Sequence, residues 1–260
     1  MQNRDFNAPD AVIYLGVGKN MVSSIRYWLK VCNIYDEKGI TWLGNYLFND
    51  HTGKDLYLED LATLYLLHFN LVFSGQASIY KMFFCDFQRE RTRFTKEQFT
   101  NHIKYKLADE DLKSQFNENT VKKDIDVLIH NYALPRKPQS NEDFSSLFID
   151  LDLLRITEDG KEYYFNTEGK RKVPKEIFLY SLVELKNRDN DNTLPYDDIR
   201  HYVGMPFCMN DSEIIEMLKT LSDQYSDCIT YSDESGIRQL QFTKDISTEK
   251  ILNDYYGTNI

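Results

Sequence analysis

The sequence predicts a mainly α protein with short β-hairpin wings, an α+β chain built as tandem winged helix-turn-helix units. Three observations lead there. Apolar residues recur at helical spacing in pairs of segments joined by short turns. Each pair is followed by short extended runs broken at a turn, namely Lys38-Gly39, Glu158-Asp159-Gly160-Lys161 and Ser232 to Gly236. The plan occurs three times, over 1–92, 93–172 and 173–260, as a shared pattern without a repeated sequence.

In the first segment Pro9 to Tyr14 supplies a short helix, and Leu15-Gly16-Val17-Gly18 a turn that two glycines make possible. A second helix follows over Asn20 to Cys32, with Met21, Val22, Ile25, Trp28 and Leu29 as its expected buried stripe. Asn20, Ser23, Ser24, Tyr27 and Lys30 then face outward, with Lys19 and Arg26 beside them. Such a polar, mildly basic face suits phosphate and base-edge contacts. An ordinary amphipathic helix after a loop has the same pattern. Ile34-Tyr35 and Ile40-Thr41 read as extended pieces, and Thr41 is placed to cap a helix over Trp42 to Phe48. Leu56 to Phe73 is expected to be helical and to form the hydrophobic centre of the N-terminal half. Asp55, Glu59 and Asp60 ahead of Leu61 suit the positive end of that helix dipole better than a metal.

In the second segment Thr95 is placed as the N-cap of a helix over Lys96 to Leu107. Val121, Ile125, Leu128, Ile129 and Tyr132 form a clean stripe on the next helix, which leaves Asn119, Thr120, Lys122 and Lys123 at its exposed N-terminal end. Helix N-termini in this motif reach bases and phosphates; Asp124 and Asp126 dilute the signal. Pro135 to Glu142 reads as a polar loop, and Leu153 to Phe165 as the hairpin wing. In the third segment Pro174 to Lys186 is a helix and Asp189 to Thr193 a polar loop. Tyr196 to Val203 forms a short helix and Asp211 to Tyr225 a longer one, capped by Asp211 or Ser212. Asp211, Glu213 and Glu216 open that longer helix, so DNA would reject it, and the unit is expected to pack on the rest or to bind a protein.

Composition sets limits. The 260 residues are 42% hydrophobic and include 18 Tyr and 16 Phe, enough for packed cores. Cys32, Cys85, Cys208 and Cys228 are widely spaced without a CxxC pair, and read as reduced thiols of a cytoplasmic protein. The opening residues do not read as a secretion signal, and no run is apolar enough for a membrane span. Net charge is −10, which argues against nucleic acid binding over the whole surface. Its distribution is uneven. Seven Lys/Arg face three Asp/Glu from Lys81 to Lys106, whereas six face fourteen from Asn187 onward. Arg89, Arg91 and Arg93 lie in the basic stretch and are candidates for steering phosphate.

The sequence assembles no enzymatic constellation. Gly16-Val17-Gly18-Lys19 lacks the spacing and the following Ser/Thr of a phosphate-cradling loop. The five histidines show no metal-ligand spacing, and His68, inside an apolar run, reads as a packed core residue. The pairs Asp150/Asp152 and Asp197/Asp198 lack a partnering His or Lys. No catalytic residue, metal site or cofactor is therefore expected.

Three stretches resemble a prokaryotic domain-of-unknown-function family, number 4007. They are Leu15-Gly16-Val17-Gly18-Lys19-Asn20-Met21-Val22 with Ile25-Arg26-Tyr27-Trp28, then Leu58-Glu59-Asp60 with Ala62 to His68, then Glu118 to Ile125. The resemblance runs from about Phe6 through Leu154 and onward. It implies no activity. Members usually open with an extra segment rich in aromatic residues and glycine, which this chain lacks. Family genes neighbour those of DNA sulfur modification and phage defence, which implies an accessory role and partner proteins in such a system. The expectation is a non-enzymatic protein that binds double-stranded DNA, with a protein-interaction scaffold as the alternative.

Overall fold

The computed structural model describes residues 11–109, 116–134, 146–168, 173–234 and 236–257. Pro9, Asp10 and the loop expected over Pro135 to Glu142 lie outside them. The fold is α+β, mainly helical with small antiparallel sheets. It divides into two compact units, Met1–Ser78 and Ile79–Ile260.

The first unit opens with α1 (Ala11–Leu15) and α2 (Lys19–Val31). Between them Gly16 adopts φ +68°, a conformation that a side chain would strain. β1 (Tyr35–Asp36) and β2 (Gly39–Ile40) pair antiparallel about the expected turn. α3 (Trp42–Phe48) starts where expected, the Thr41 hydroxyl accepting the Gly44 N–H at 3.0 Å. α4 (Leu61–Phe73) is buried from Ala62 to Val72 and forms the core, with His68 fully enclosed. The helix begins at Leu61 rather than Leu56. Asp60 caps it by accepting the Ala62 N–H, buried Asp55 accepts the N–H groups of Glu59 and Asp60, and Leu58 sits at φ +58°. Those bonds hold 56–60 as a turn, so its apolar residues do not extend the helix.

The stripe on α2 is narrower than its spacing suggests. Val22 is buried and Ile25 and Leu29 are half-buried, but Met21 is 55% exposed. At about 100° per residue Met21 falls a quarter-turn from Val22, off the covered side, whereas Arg26 falls close to it and is half-buried.

One continuous helical run opens the second unit, its first residue being the last of the first unit: α5 (Ser78–Lys81), a π-helical stretch over Met82–Phe87, and α6 (Gln88–Glu90). β3 (Arg93–Phe94), α7 (Lys96–Asp109), α8 (Glu118–Tyr132), β4 (Leu154–Ile156) and β5 (Tyr163–Phe165) follow. The hairpin closes an antiparallel sheet of order β3-β5-β4, with Tyr164 opposite Arg93 on one side and Arg155 on the other. Thr95 and Gln98 exchange hydrogen bonds at the start of α7, a reciprocal cap. Asn117 caps α8 through the Thr120 N–H. Ile125, Leu128, Ile129 and Tyr132 are buried as the periodicity requires. Phe83, Phe87, Phe94, Phe99 and Phe165 form an aromatic core with ring centroids 4.7–6.3 Å apart, and this core fixes where Arg89 to Arg93 emerge.

The plan recurs with α9 (Lys175–Asp189), β6 (Thr193–Pro195), α10 (Tyr196–Ile199), a second π-helical stretch over Arg200–Gly204, α11 (Asp211–Gln224), β7 (Ile229–Glu234), β8 (Ile237–Phe242) and α12 (Thr248–Tyr256). The sheet order is β6-β8-β7, all antiparallel. α9 is buried from Glu176 to Val183 and again at Leu185, and packs on α12. The cap of α11 is Asn210, one residue before the expected Asp211 or Ser212. Its side chain accepts the Glu213 N–H while the Glu213 carboxylate accepts the Asn210 N–H, two bonds that neither later residue offers together.

Candidate nucleic-acid interface

Each unit carries its own candidate surface. In the first, α2 turns Lys19, Asn20, Ser23, Ser24, Tyr27 and Lys30 to solvent. Met21 stands among them, and Tyr27 packs edge-on against Trp28 with ring centroids 5.7 Å apart. Lys30 lies 3.5 Å from Glu37, an exposed pair of little strength. The face is polar with one apolar island, and its charge is small.

In the second unit the N-terminal turn of α8 presents Asn119, Thr120, Lys122 and Lys123, all exposed. Lys122 is bound to Glu118 at 2.7 Å, which holds the Glu118 carboxyl below its ordinary range and lifts the Lys122 ammonium above its own. Lys123 has no acidic partner within 4 Å among the described residues. Across the α7–α8 contact Lys96 meets Asp126 at 2.5 Å. The face therefore alternates in sign, and Lys123 is its unspent cation.

Arg89, Arg91 and Arg93 leave the aromatic core in a row, all exposed. Arg93 is held by Glu162 of the wing at 2.6 Å. Arg89 and Arg91 have no carboxylate within 4 Å among the described residues, and Arg91 borders a cleft of about 820 Å³ along α7 together with Gln98, Asn101, His102 and Tyr105. Guanidinium groups of this kind, exposed and unpaired, are suited to phosphate oxygens.

Beside Arg89 lies a cluster that sequence reading missed. Asp86, from the first π-helical stretch, stands 3.7 Å from His201 Nε2 in the second, and Lys106 of α7 stands 3.8 Å from its other oxygen. Arg188 of α9 lies 4.1 Å from the Tyr202 ring centre and binds Asp189 at 2.7 Å; Lys81 lies 5.8 Å from the same ring. Burial is the main reason the His201 pKa falls below its ordinary value. Arg89 and Lys81 add to the fall, and Asp86 and Asp198 oppose it. No local pattern announces the cluster, since its members come from four separated stretches.

Among the described residues no three His, Cys, Asp or Glu side chains gather to hold a metal ion, and no helix is long and apolar enough to cross a membrane. Cys32, Cys85 and Cys208 are buried free thiols, and burial pushes the first two up to about 12.

The whole chain is similar to two solved structures. The SspB crystal structure matches with a TM-score of 0.80 at 24% identity, covering 99% of this chain and 82% of that one. The magnesium ion-bound SspB crystal structure matches with a TM-score of 0.80 at 24% identity, covering 98% and 81%. At that identity the likeness establishes the fold. A search of curated proteins finds no match. The family described as protein of unknown function (DUF4007) matches residues 1–256, and the chain belongs to that family.

Proposed function

We propose that this chain is a non-enzymatic, DNA-binding accessory protein of a bacterial DNA-modification or phage-defence system, acting in the cytoplasm. The observation that carries the reading is the placement of Arg89 and Arg91, exposed and without an acidic partner within 4 Å among the described residues, beside a strand–helix–helix–hairpin module. That order of elements occurs twice in the second unit, and the reading takes each as a winged helix-turn-helix with β4–β5 and β7–β8 as wings. Lys123 and the exposed face of α2 add further groups suited to backbone contact. A role in DNA phosphorothioation, with proteins of such a system as partners, is part of this reading and rests on the family resemblance, the chain sharing its fold with the structures named SspB. Duplex DNA, modified or plain, is titrated with the protein at rising salt. The affinity should fall with a log–log slope near about −0.9 per phosphate neutralised. Absence of binding to either duplex at low salt overturns the reading.

A second reading is a scaffold that docks on a partner enzyme without touching DNA. Two observations favour it: Asp211 and Glu216 are exposed at the head of α11, and Ile13, Met21 and Tyr27 are exposed apolar groups on α1 and α2. Co-purification with a partner that is lost on Glu213→Lys and Glu216→Lys supports it; unchanged co-purification counts against it.

A further inference from the structure

The cleft along α7 has room for a ligand and the groups to choose one. Its volume, about 820 Å³, lies within the range of small-molecule sites. One wall is the solvent side of α7, whose other side turns Phe99 and Ile103 into the core. The rest of the lining comes from the end of the preceding helical run, with Phe87, Glu90 and Arg91.

Two residues on the α7 wall carry unspent chemistry. Asn101 and Tyr105 are four apart and therefore neighbours on one face of the helix. Tyr105 is 75% exposed, so its ring is open to a stacking partner. The Asn101 side chain is exposed and bonded to none of the described residues, which leaves an amide donor and an amide acceptor side by side.

Charge alone does not select the ligand. Arg91 and Lys106 border the cleft together with Glu90 and Asp109, two groups of each sign. Glu90 is spent on His102, 3.2 Å from Nδ1, and Lys106 stands 3.8 Å from Asp86. Arg91 is left to meet one anionic group, and a lining so balanced suits neither a metal ion nor a run of phosphates. The ligand that uses what the cleft offers brings a flat ring, a paired donor and acceptor, and one negative charge. A nucleotide has all three. Adenine sets its N6 donor beside its N7 acceptor, the edge that a side-chain amide meets with two bonds.

We propose that the α7 cleft binds one nucleotide with an unpaired adenine base, stacked on Tyr105, read by the Asn101 amide and held at its phosphate by Arg91. Inside a duplex both faces of a base are covered by its neighbours, so the base enters only free or out of the stack. A free mononucleotide and an unpaired adenine in a DNA strand share this chemistry. The strand as source rests on the reading of the chain as a DNA-binding protein; the mononucleotide does not.

The test is an NMR titration of the full chain with adenosine 5′-monophosphate, following the backbone amides of α7 and the Asn101 side-chain amide. Both sets should shift. The 7-deaza analogue, which lacks the N7 acceptor, should bind about tenfold more weakly, and Asn101→Ala should remove that difference. Tyr105→Ala should weaken the monophosphate about tenfold, whereas Tyr105→Phe should keep the parental affinity. Arg91→Gln should weaken the monophosphate and leave adenosine unchanged. All three positions are exposed, so these variants should fold. An oligonucleotide duplex with one bulged adenine, set against the fully paired duplex, separates the two sources. Tighter binding of the bulged form, lost in Tyr105→Ala, assigns the cleft to nucleic acid; binding of the mononucleotide alone assigns it to a free nucleotide. Paired duplex that binds while neither adenine probe does overturns the cleft and leaves the DNA-binding reading standing. Adenine probes that bind equally to the parent, Tyr105→Ala and Asn101→Ala, or that do not bind at all, overturn the cleft as well.

Discussion

Lys122 and Lys123 are neighbours with unequal chemistry. Lys122 is already committed to Glu118 at 2.7 Å, whereas Lys123 meets no acid within 4 Å among the described residues. Lys123→Ala should weaken duplex binding more than Lys122→Ala, by a similar factor for every sequence, and should reduce the salt slope by about 0.9. Fluorescence anisotropy on two unrelated duplexes checks this; equal effects of the two variants would show that the Glu118 pair dissolves on DNA. His201 offers a pH readout without ligand. Its pKa in the folded chain lies below the ordinary value, so the native state binds fewer protons than the unfolded state. Stability should then be full above about pH 6.5 and decline as pH drops below it. His201→Gln should flatten that part of the curve in urea melts; an unchanged curve would assign the decline to other groups. At this scale the sequence displayed the arginine row as part of the basic stretch from Lys81 to Lys106, and all three side chains are exposed. It could not display the partners of Asp86, since Lys106 and His201 reach it only through tertiary packing.

Elements declare themselves where their signals are local. Thr41, Thr95, the turn at Glu158 to Lys161 and the stripe on α8 all mark structure within a few residues of themselves. Three kinds of element escaped. β3 and β6 are two and three residues long, too short for alternation to register. α12 is short, and within the run from Ser78 to Glu90 the π-helical stretch displaces the apolar residues from a 3.6 period. Leu56 to Leu58 were apolar without being helical, because Asp55 and Asp60 had claimed the backbone. Gly44 shows how tightly one element can be specified. A Cβ there would collide with the Ile34 carbonyl oxygen, a backbone atom fixed by its bond from the Thr41 N–H. Gly44→Ala should cost about 1–3 kcal/mol, read as a lowered urea midpoint; a midpoint unchanged from the parent would mean that α3 slides to accommodate the methyl.

On the scale of the molecule, charge is segregated along the chain, with a basic stretch from Lys81 to Lys106 and an acidic third beyond Asn187. Long-range fields of this kind act on association rates more than on contacts. Glu213→Lys with Glu216→Lys should speed duplex association at low salt, with the gain shrinking as ionic strength rises. Stopped-flow mixing at two salt concentrations checks it; a rate that does not change at low salt would show that DNA never samples that field.

Gln88 has a mechanical consequence. With its amide nitrogen turned toward them, Gln88 reaches the carbonyl of Phe84 within the first widened turn and that of Met205 just past the second, so one side chain ties the two segments. A displacement of Met205 would then strain the same amide that holds Phe84, next to the aromatic rings behind it.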